Sequence, residues 1–332
     1  MTVVYPPGMG SGWITAAPVA GSGNGAVSFT VTANSGNARQ GAIVIAGQNV
    51  AILQDGAPPA TPGGGTPGGG TVPPGTPAIS TGGVVNAASY APGGPPNGLA
   101  QGSFFSIFGT SLGPAEPVQA GYPLPPSLGG VTVQILAGGN TFNAYLVFVS
   151  AGQINGLLPS NIPAGPAQMT VIANGRTSAQ ASILINPTSF GAFFQSVEGN
   201  NLAIAQNVAS ATDYPLNLPS SPAKPGQIVI LWGTGLGPIS GADNVAPGSN
   251  AFDMRGAPTN LQVAITVGGQ AVPVQNILYA GRQAESAGVD NVYFTLPTNA
   301  PLGCNVPVAI TVGGIAANVT TIAITADGLP CR

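Results

Sequence analysis

Histidine is absent from all 332 residues, and with it go the commonest general base, the commonest metal ligand and every Ser-His or Cys-His nucleophile pair. Most hydrolytic mechanisms are excluded by that absence. Sulfur chemistry is confined to Cys304 and Cys331, with 26 residues between them. A lone pair without histidine cannot build the usual zinc site, which leaves a disulfide or two unrelated buried thiols. As a disulfide the pair would stabilise by roughly 3.5 kcal/mol in the chain-entropy model and would imply an oxidising compartment outside the cytoplasm. Oxygen ligands around Asp243, Asn244, Asn250 and Asp253 could suit calcium, but their spacing matches no EF-hand loop and reads as a solvated loop. Gly63 to Gly70 lacks the lysine and the strand-to-helix context of a phosphate loop. No cofactor is expected. The single lysine, Lys224, would have to be buried beside a carboxylate to cross-link to an asparagine, and it precedes Pro225-Gly226 in a turn instead.

Two indoles remain as contact chemistry, Trp13 and Trp232. Either could stack on a sugar ring. Trp232 lies inside the apolar run Ile228 to Trp232 and reads as a core residue, whereas Trp13, in a half-domain, is left to cover a core, meet a partner or contact a sugar. Asn318-Val319-Thr320 is a formal glycosylation sequon, meaningful only if the source glycosylates such sites.

The elements that must position these residues are short and β-rich. Charged residues are 5% of the chain, six Lys plus Arg against nine Asp plus Glu, where soluble domains average roughly 25%. Apolar residues are 44%, enough for real cores, so low apolar content gives no reason for disorder. Gly (51) and Pro (34) leave little room for long helices. A net charge of −3 supplies no basic stripe, so nucleic acid is not an expected partner. No stretch approaches the ~18 consecutive apolar residues of a membrane span. Met1 to Pro7 has neither a basic n-region nor an h-region, so an export signal was removed before this numbering or the chain is a fragment.

Residues 57–78 contain seven Pro, seven Gly and no charge, the composition of a linker. Before it, Val27, Phe29 and Val31 alternate with Ser28, Thr30 and Thr32, the period of a strand with one buried face. Ala42 to Ala46 and Val50 to Leu53 follow as two more strands. Trp13-Ile14, the Gly21 to Gly25 turn, the Asn34 to Arg39 corner and the closing Ile52-Leu53-Gln54 resemble the C-terminal half of a BACON domain. That resemblance implies an Ig-like module of bacterial surface and secreted proteins, with residues 1–56 as a partial copy.

After the linker the chain repeats itself. Phe104 to Pro114 aligns without a gap on Ile228 to Pro238, sharing Gly-Thr-x-Leu-Gly-Pro at an offset of 124 residues. Val131 to Ile135 matches Val263 to Val267, and Asn155 to Pro159 matches Asn291 to Pro297. Short alternating strands between Gly and Pro turns predict an all-β chain with tandem Ig-like β-sandwich domains over 79–190 and 191–332. Through Val84 to Tyr90, Gly102 to Leu112, Ser127 to Val131, Gly152 to Asn155 and Pro225 to Pro238, this region closely resembles an uncharacterised C-terminal domain family of Solibacter and other Acidobacteria. The resemblance implies exported surface proteins with a transcription-factor-immunoglobulin-type (IPT/TIG) fold and no activity. In the second repeat the family's Gln-Val-Asn is read as Val289-Asp290-Asn291, a departure from the motif.

These readings point to an extracellular structural protein, a subunit of a filament or surface layer and hence a homopolymer. Sparse charge gives little colloidal repulsion between copies. Two or three strands with one apolar face are marginal alone, so Val27, Phe29, Val31, Ile43 and Ile45 need a cover; Met1 to Tyr5 is short and the linker too rich in Pro to donate ladder bonds, so of these three candidates a neighbour's strand is the one expected. The alternative is a secreted polysaccharide-binding or adhesion module without catalytic activity, with Trp13 as a contact.

Overall fold

A computed structural model of the chain describes residues 3–4, 14–17, 28–32, 39–45, 48–54, 75–197, 200–238, 244, 261–283 and 286–331. The fold is all-β and groups into two compact units, Met1–Pro73 with Gln195–Asn201, and Pro74–Phe194 with Leu202–Arg332. Its glycines and prolines do what their chemistry predicts: they end strands and turn the chain, with Gly138–Gly139, Gly268–Gly269 and Gly313–Gly314 all at positive φ in tight turns.

The N-terminal segment holds β1 (Val3–Val4), β2 (Ile14–Ala17), β3 (Ser28–Val31), β4 (Arg39–Ile45) and β5 (Gln48–Gln54). β4 and β5 form a hairpin in which Ile43 faces Val50 and Ile45 faces Gln48. β1 pairs with the other edge of β4, Val3 with Ile45 and Val4 with Val44. β2 pairs with β3, which sets Phe29 opposite Ala16 and Val31 opposite Ile14. Alternation alone yields three strands here; β1 and β2 are too short to show a period. Val3–Val4 lies within Met1 to Tyr5, the chain's own candidate partner for these strands. Trp13 and Val27 lie outside the described residues.

The first repeat contains β6 (Ala78–Asn86), β7 (Leu99–Ala100), β8 (Phe104–Thr110), β9 (Val118–Gln119), β10 (Val131–Ala137), β11 (Asn140–Asn143), β12 (Tyr145–Val149), β13 (Gln153–Leu157), β14 (Gly165–Ala173), β15 (Arg176–Thr177) and β16 (Ala181–Asn186). One sheet runs β6-β8-β13-β12-β9 and the other β11-β10-β14-β16-β7. Alternate residues turn inward, and Phe105, Ile107, Val133, Ile135, Leu146, Ile154, Met169 and Val171 are fully buried between the sheets. Each such side chain contributes about 1.5–3 kcal/mol of transfer free energy.

The second repeat contains β17 (Gly191–Ala192), β18 (Phe194–Val197), β19 (Asn200–Ala203), β20 (Ala205–Asn207), β21 (Ile228–Thr234), β22 (Ala264–Val267), β23 (Gln270–Ala271), β24 (Ile277–Arg282), β25 (Asp290–Thr295), β26 (Gly303–Val312), β27 (Ile315–Ala316) and β28 (Thr320–Ile324), with a 3-10 turn at Val274–Asn276. Its sheets repeat the order of the first: β21-β25-β24 corresponds to β8-β13-β12, and β23-β22-β26-β28 to β11-β10-β14-β16. Even the parallel closing contact recurs, Ile185 with Leu99 and Thr321 with Leu202. Val229, Leu231, Val292, Phe294, Val267, Val308, Val312 and Ile322 form its core.

Register refines the alignment between repeats. Leu157 pairs with Phe104 and Thr295 with Ile228, so Pro159 and Pro297 hold equivalent places two residues further on. Gln153 pairs with Phe108 and Asn291 with Trp232. Asn291 is therefore the counterpart of Gln153, not of Asn155, and the triplet matching Gln153-Ile154-Asn155 is Asn291-Val292-Tyr293. The sequence match had slipped by two residues, a shift that keeps side chains on the same face and so leaves alternation unchanged.

Candidate binding face and the seam beside it

Among the described residues the buried charges, Arg282 and Asp290, lie at the seam between the repeats. Arg282 and Asp290 are cross-strand partners in the β24–β25 hairpin, and their side chains form an ion pair of 3.1 Å with 2% and 0% exposure. The second Asp290 oxygen accepts the backbone N–H of Gly235 and of Leu236, both at 2.8 Å. Arg282 Nη2 reaches across to the carbonyl of Gly102 in the first repeat at 3.0 Å. Gly102 is at φ +65°, and a Cβ there would lie 2.6 Å from Ser160 Oγ, so only glycine lets the guanidinium approach.

Further bonds reinforce the crossing. Thr234 Oγ1 accepts the Phe104 N–H at 2.9 Å and donates to the Gly288 carbonyl at 2.6 Å. Tyr122 donates its hydroxyl to the Ala287 carbonyl at 2.9 Å. Asn244 donates to the Leu124 carbonyl at 2.6 Å and accepts that residue's N–H in return. Leu124, Leu157 and Ala287 form a small apolar cluster between them. Burial pushes the Tyr122 phenol above its usual range, and the nearby Arg282 charge offsets part of that rise. The seam is closed and nearly all of its polar atoms are paired, Arg282 Nη1 being the exception, so it acts as a splint between the repeats.

The outer face of β20-β21-β25-β24 is different. On β21 the inward positions are Val229 and Leu231, which turns Ile230 and Trp232 outward. Trp232 is thus half-buried on an outer sheet face and is not a core residue. The unbroken run Ile228 to Trp232 hid the alternation because both faces of that strand are apolar. Its indole N–H donates to Gln206 Oε1 at 2.9 Å, and Gln206 Nε2 donates to the Tyr214 carbonyl at 2.9 Å. One cross-strand row reads Leu216, Gln206, Ile230, Tyr293, Tyr279. Tyr279 and Tyr293 meet edge-to-face at 5.3 Å, the arrangement that ring quadrupoles favour. Tyr214 is 41% and Leu216 49% exposed. Burial raises the Tyr293 phenol pKa, and the neighbouring Tyr214 raises it further.

The equivalent position in the first repeat is closed. Phe108, counterpart of Trp232, is 7% exposed; the Tyr90 ring stands 6.5 Å away, itself backed by Phe194 at 6.2 Å. Beside it Ser106 donates to Asn155 Oδ1 at 3.0 Å and Gln153 Nε2 to the same oxygen at 2.8 Å.

The remaining sequence candidates fall as follows. Cys304 is the second residue of β26 and Cys331 lies in the tail after β28; both are half-buried thiols. Their side chains meet, and the Cys331 thiol is pushed up to about 11 by burial, by a hydrogen bond with Cys304 and by that neighbour's charge. Cys331 N–H also donates to the Pro219 carbonyl at 2.7 Å. Lys224 is exposed, next to the Pro225-Gly226 turn. Asp243, Asn250 and Asp253 lie outside the described residues, and among the described residues no cluster of three metal-ligating side chains occurs. Asn318 of the sequon exchanges two hydrogen bonds with the Ala192 backbone, 2.9 and 3.0 Å, so its amide is engaged in structure. No described helix is long and apolar enough to cross a membrane.

Comparison with known families places residues 8–55 in register with the BACON model, described as a putative binding domain. No curated protein matches the chain. Among solved structures, SGBP-B of the Bacteroides ovatus mixed-linkage glucan utilization locus, in complex with a mixed-linkage heptasaccharide, is 12% identical over 98% of this chain and 64% of that one, with a TM-score of 0.31. SGBP-B of a Bacteroides uniformis xyloglucan utilization locus is 14% identical over 75% of this chain and 49% of that one, with a TM-score of 0.24. Domains 5–6 of the S-layer protein SbsC are 14% identical over 75% and 98%, with a TM-score of 0.20. The chain spans less than two thirds of the length of either SGBP-B protein.

Proposed function

We propose that this chain is an extracellular or cell-surface protein that works by binding, without catalysis. Residues 1–56 are its BACON module, 57–78 a tether, and 79–332 two Ig-like repeats of the Solibacter C-terminal type. The observation that carries the reading is the BACON match over 8–55, in a chain that has no histidine at all. The contact between Cys304 and Cys331 supports export, since thiols already in contact need only an oxidant to become a disulfide. Polysaccharide is the partner class that best suits a nearly uncharged protein. Affinity electrophoresis of the full chain through gels containing soluble glycans tests this: retardation by at least one supports it, and unretarded migration through all of them rejects it.

A second reading, a homopolymeric filament or surface layer built through strand contacts, is favoured by the 5% charge content. Light scattering and negative-stain microscopy separate the two. Regular polymers support the second, and a monodisperse monomer rejects it.

A further inference from the structure

We infer that the outer face of β20-β21-β25-β24 is a binding platform for a neutral polysaccharide, which stacks its sugar rings on Trp232, Tyr293 and Tyr214. The inference rests on the binding reading above and gives it a site in the second repeat, where no resemblance or family match assigns one.

Four observations carry it. The rings are amphipathic, each with an apolar face and a polar tip, and the Trp232 plane is fixed by its bond to Gln206 and, through Gln206, to the Tyr214 backbone. A pyranose ring presents apolar axial C–H bonds on one face and hydroxyls around its rim, which complements such a surface. The row from Leu216 to Tyr279 crosses four strand spacings, roughly 19 Å at ~4.8 Å each, the reach of several sugar units and far more than a monosaccharide needs. No charged side chain lies in that row; Asp213, adjacent to Tyr214, is the acidic group at its margin, and the nearby Arg282 charge is buried against Asp290. A neutral polymer fits this surface, and an anionic one finds no counter-charge.

The fourth observation is a donor in want of an acceptor. Asn291 is directly opposite Trp232 on the same face. It is 2% exposed, and its Nδ2 has no hydrogen-bond partner among the described residues. Leaving a buried amide unpaired costs about 1–3 kcal/mol, and a sugar hydroxyl at the foot of the indole would relieve it once the side chains over the amide move aside. The contrast between repeats sharpens the point. At the equivalent place the first repeat covers Phe108 with its own Tyr90, whereas Tyr214 and Leu216 stay open in the second.

The test uses the full chain in affinity electrophoresis against hydroxyethylcellulose, xyloglucan, mixed-linkage β-glucan and galactomannan, with alginate as the anionic control. Retardation by one or more neutral polymers, with none by alginate, is expected. Trp232→Ala should weaken retardation by up to about tenfold, the scale of one lost aromatic contact. Tyr214→Ala, at a position 41% exposed and expected to melt close to the parent, should weaken it by severalfold. If Trp232→Ala melts like the parent and is retarded equally, or if Tyr214→Ala has no effect, the platform is refuted. Loss of binding on deleting 1–56, with Trp232→Ala unaffected, would overturn the platform and leave the binding reading standing; no retardation of the parent by any glycan would overturn both. A Trp232-dependent dimer in light scattering would identify the face as a contact between copies and would also overturn the inference.

Discussion

Replacing Asp290 with alanine should be among the most damaging single changes in the tandem repeat. It strands the Arg282 guanidinium at 2% exposure, already with one nitrogen, Nη1, lacking a partner. It also removes the acceptor of the Gly235 and Leu236 amides. Breaking a buried pair from one side costs about 3–5 kcal/mol, and the two orphaned amides keep the value near the upper end. With about 2–4 °C of melting temperature per kcal/mol for a unit of this size, a cost near 5 kcal/mol should appear in calorimetry as a fall of roughly 10–20 °C. The double variant Arg282→Met with Asp290→Leu removes both charges together and should recover much of that loss, because apolar replacement of a buried pair is often nearly neutral. The parent should melt in one transition and Asp290→Ala in two, since Arg282 also ties down the Gly102 carbonyl. An Asp290→Ala protein within about 1 kcal/mol of the parent would refute the reasoning that the seam is a splint.

Three further outcomes follow from other parts of the molecule. Gly235→Ala should destabilise by about 2–4 kcal/mol in urea titrations, because Gly235 is at φ +103° and a Cβ there would lie 2.3 Å from the Ser189 carbonyl oxygen. Non-reducing mass mapping of exported protein should find Cys304 and Cys331 joined; in reduced protein Cys331, with its thiol near 11, should alkylate far more slowly at pH 8 than an ordinary cysteine, and equal rates would contradict the contact. Tyr90, Tyr122 and Tyr293 all have raised phenol pKa values because of burial. Their stabilisation is therefore complete below the unfolded value near 10 and is lost as pH climbs past it, so the urea midpoint should hold to pH 9 and fall above 10.

The sandwich class was legible because alternation in β10, β14 and β26 survives in the letters, and the Gly-Thr-x-Leu-Gly-Pro repeat marks the ends of β8 and β21. The seam was legible only in hindsight. In a chain with 5% charge, Arg282 after Ala280-Gly281 and Asp290 before Asn291-Val292 are charges set in apolar strands, a signal of a buried pair. The platform was masked for a different reason. Ile230 is buried on the outer face of the sheet, so the Ile228 to Trp232 run lost its period and Trp232 read as interior. Cross-strand rows such as Leu216 to Tyr279 join residues far apart in sequence, and nothing local encodes them. Short β1 and β2 show no period at all; their pairing with β4 and β3 exists only in three dimensions.

Trp13 and Trp232 are the chain's only tryptophans, so Trp13→Phe leaves one indole as reporter of the second-repeat face. Titrating that variant with the neutral polysaccharide that retards the parent should shift and saturate its tryptophan emission, with a midpoint equal to that of binding. Emission that stays unchanged while the polysaccharide remains bound would place the ligand elsewhere and contradict the account.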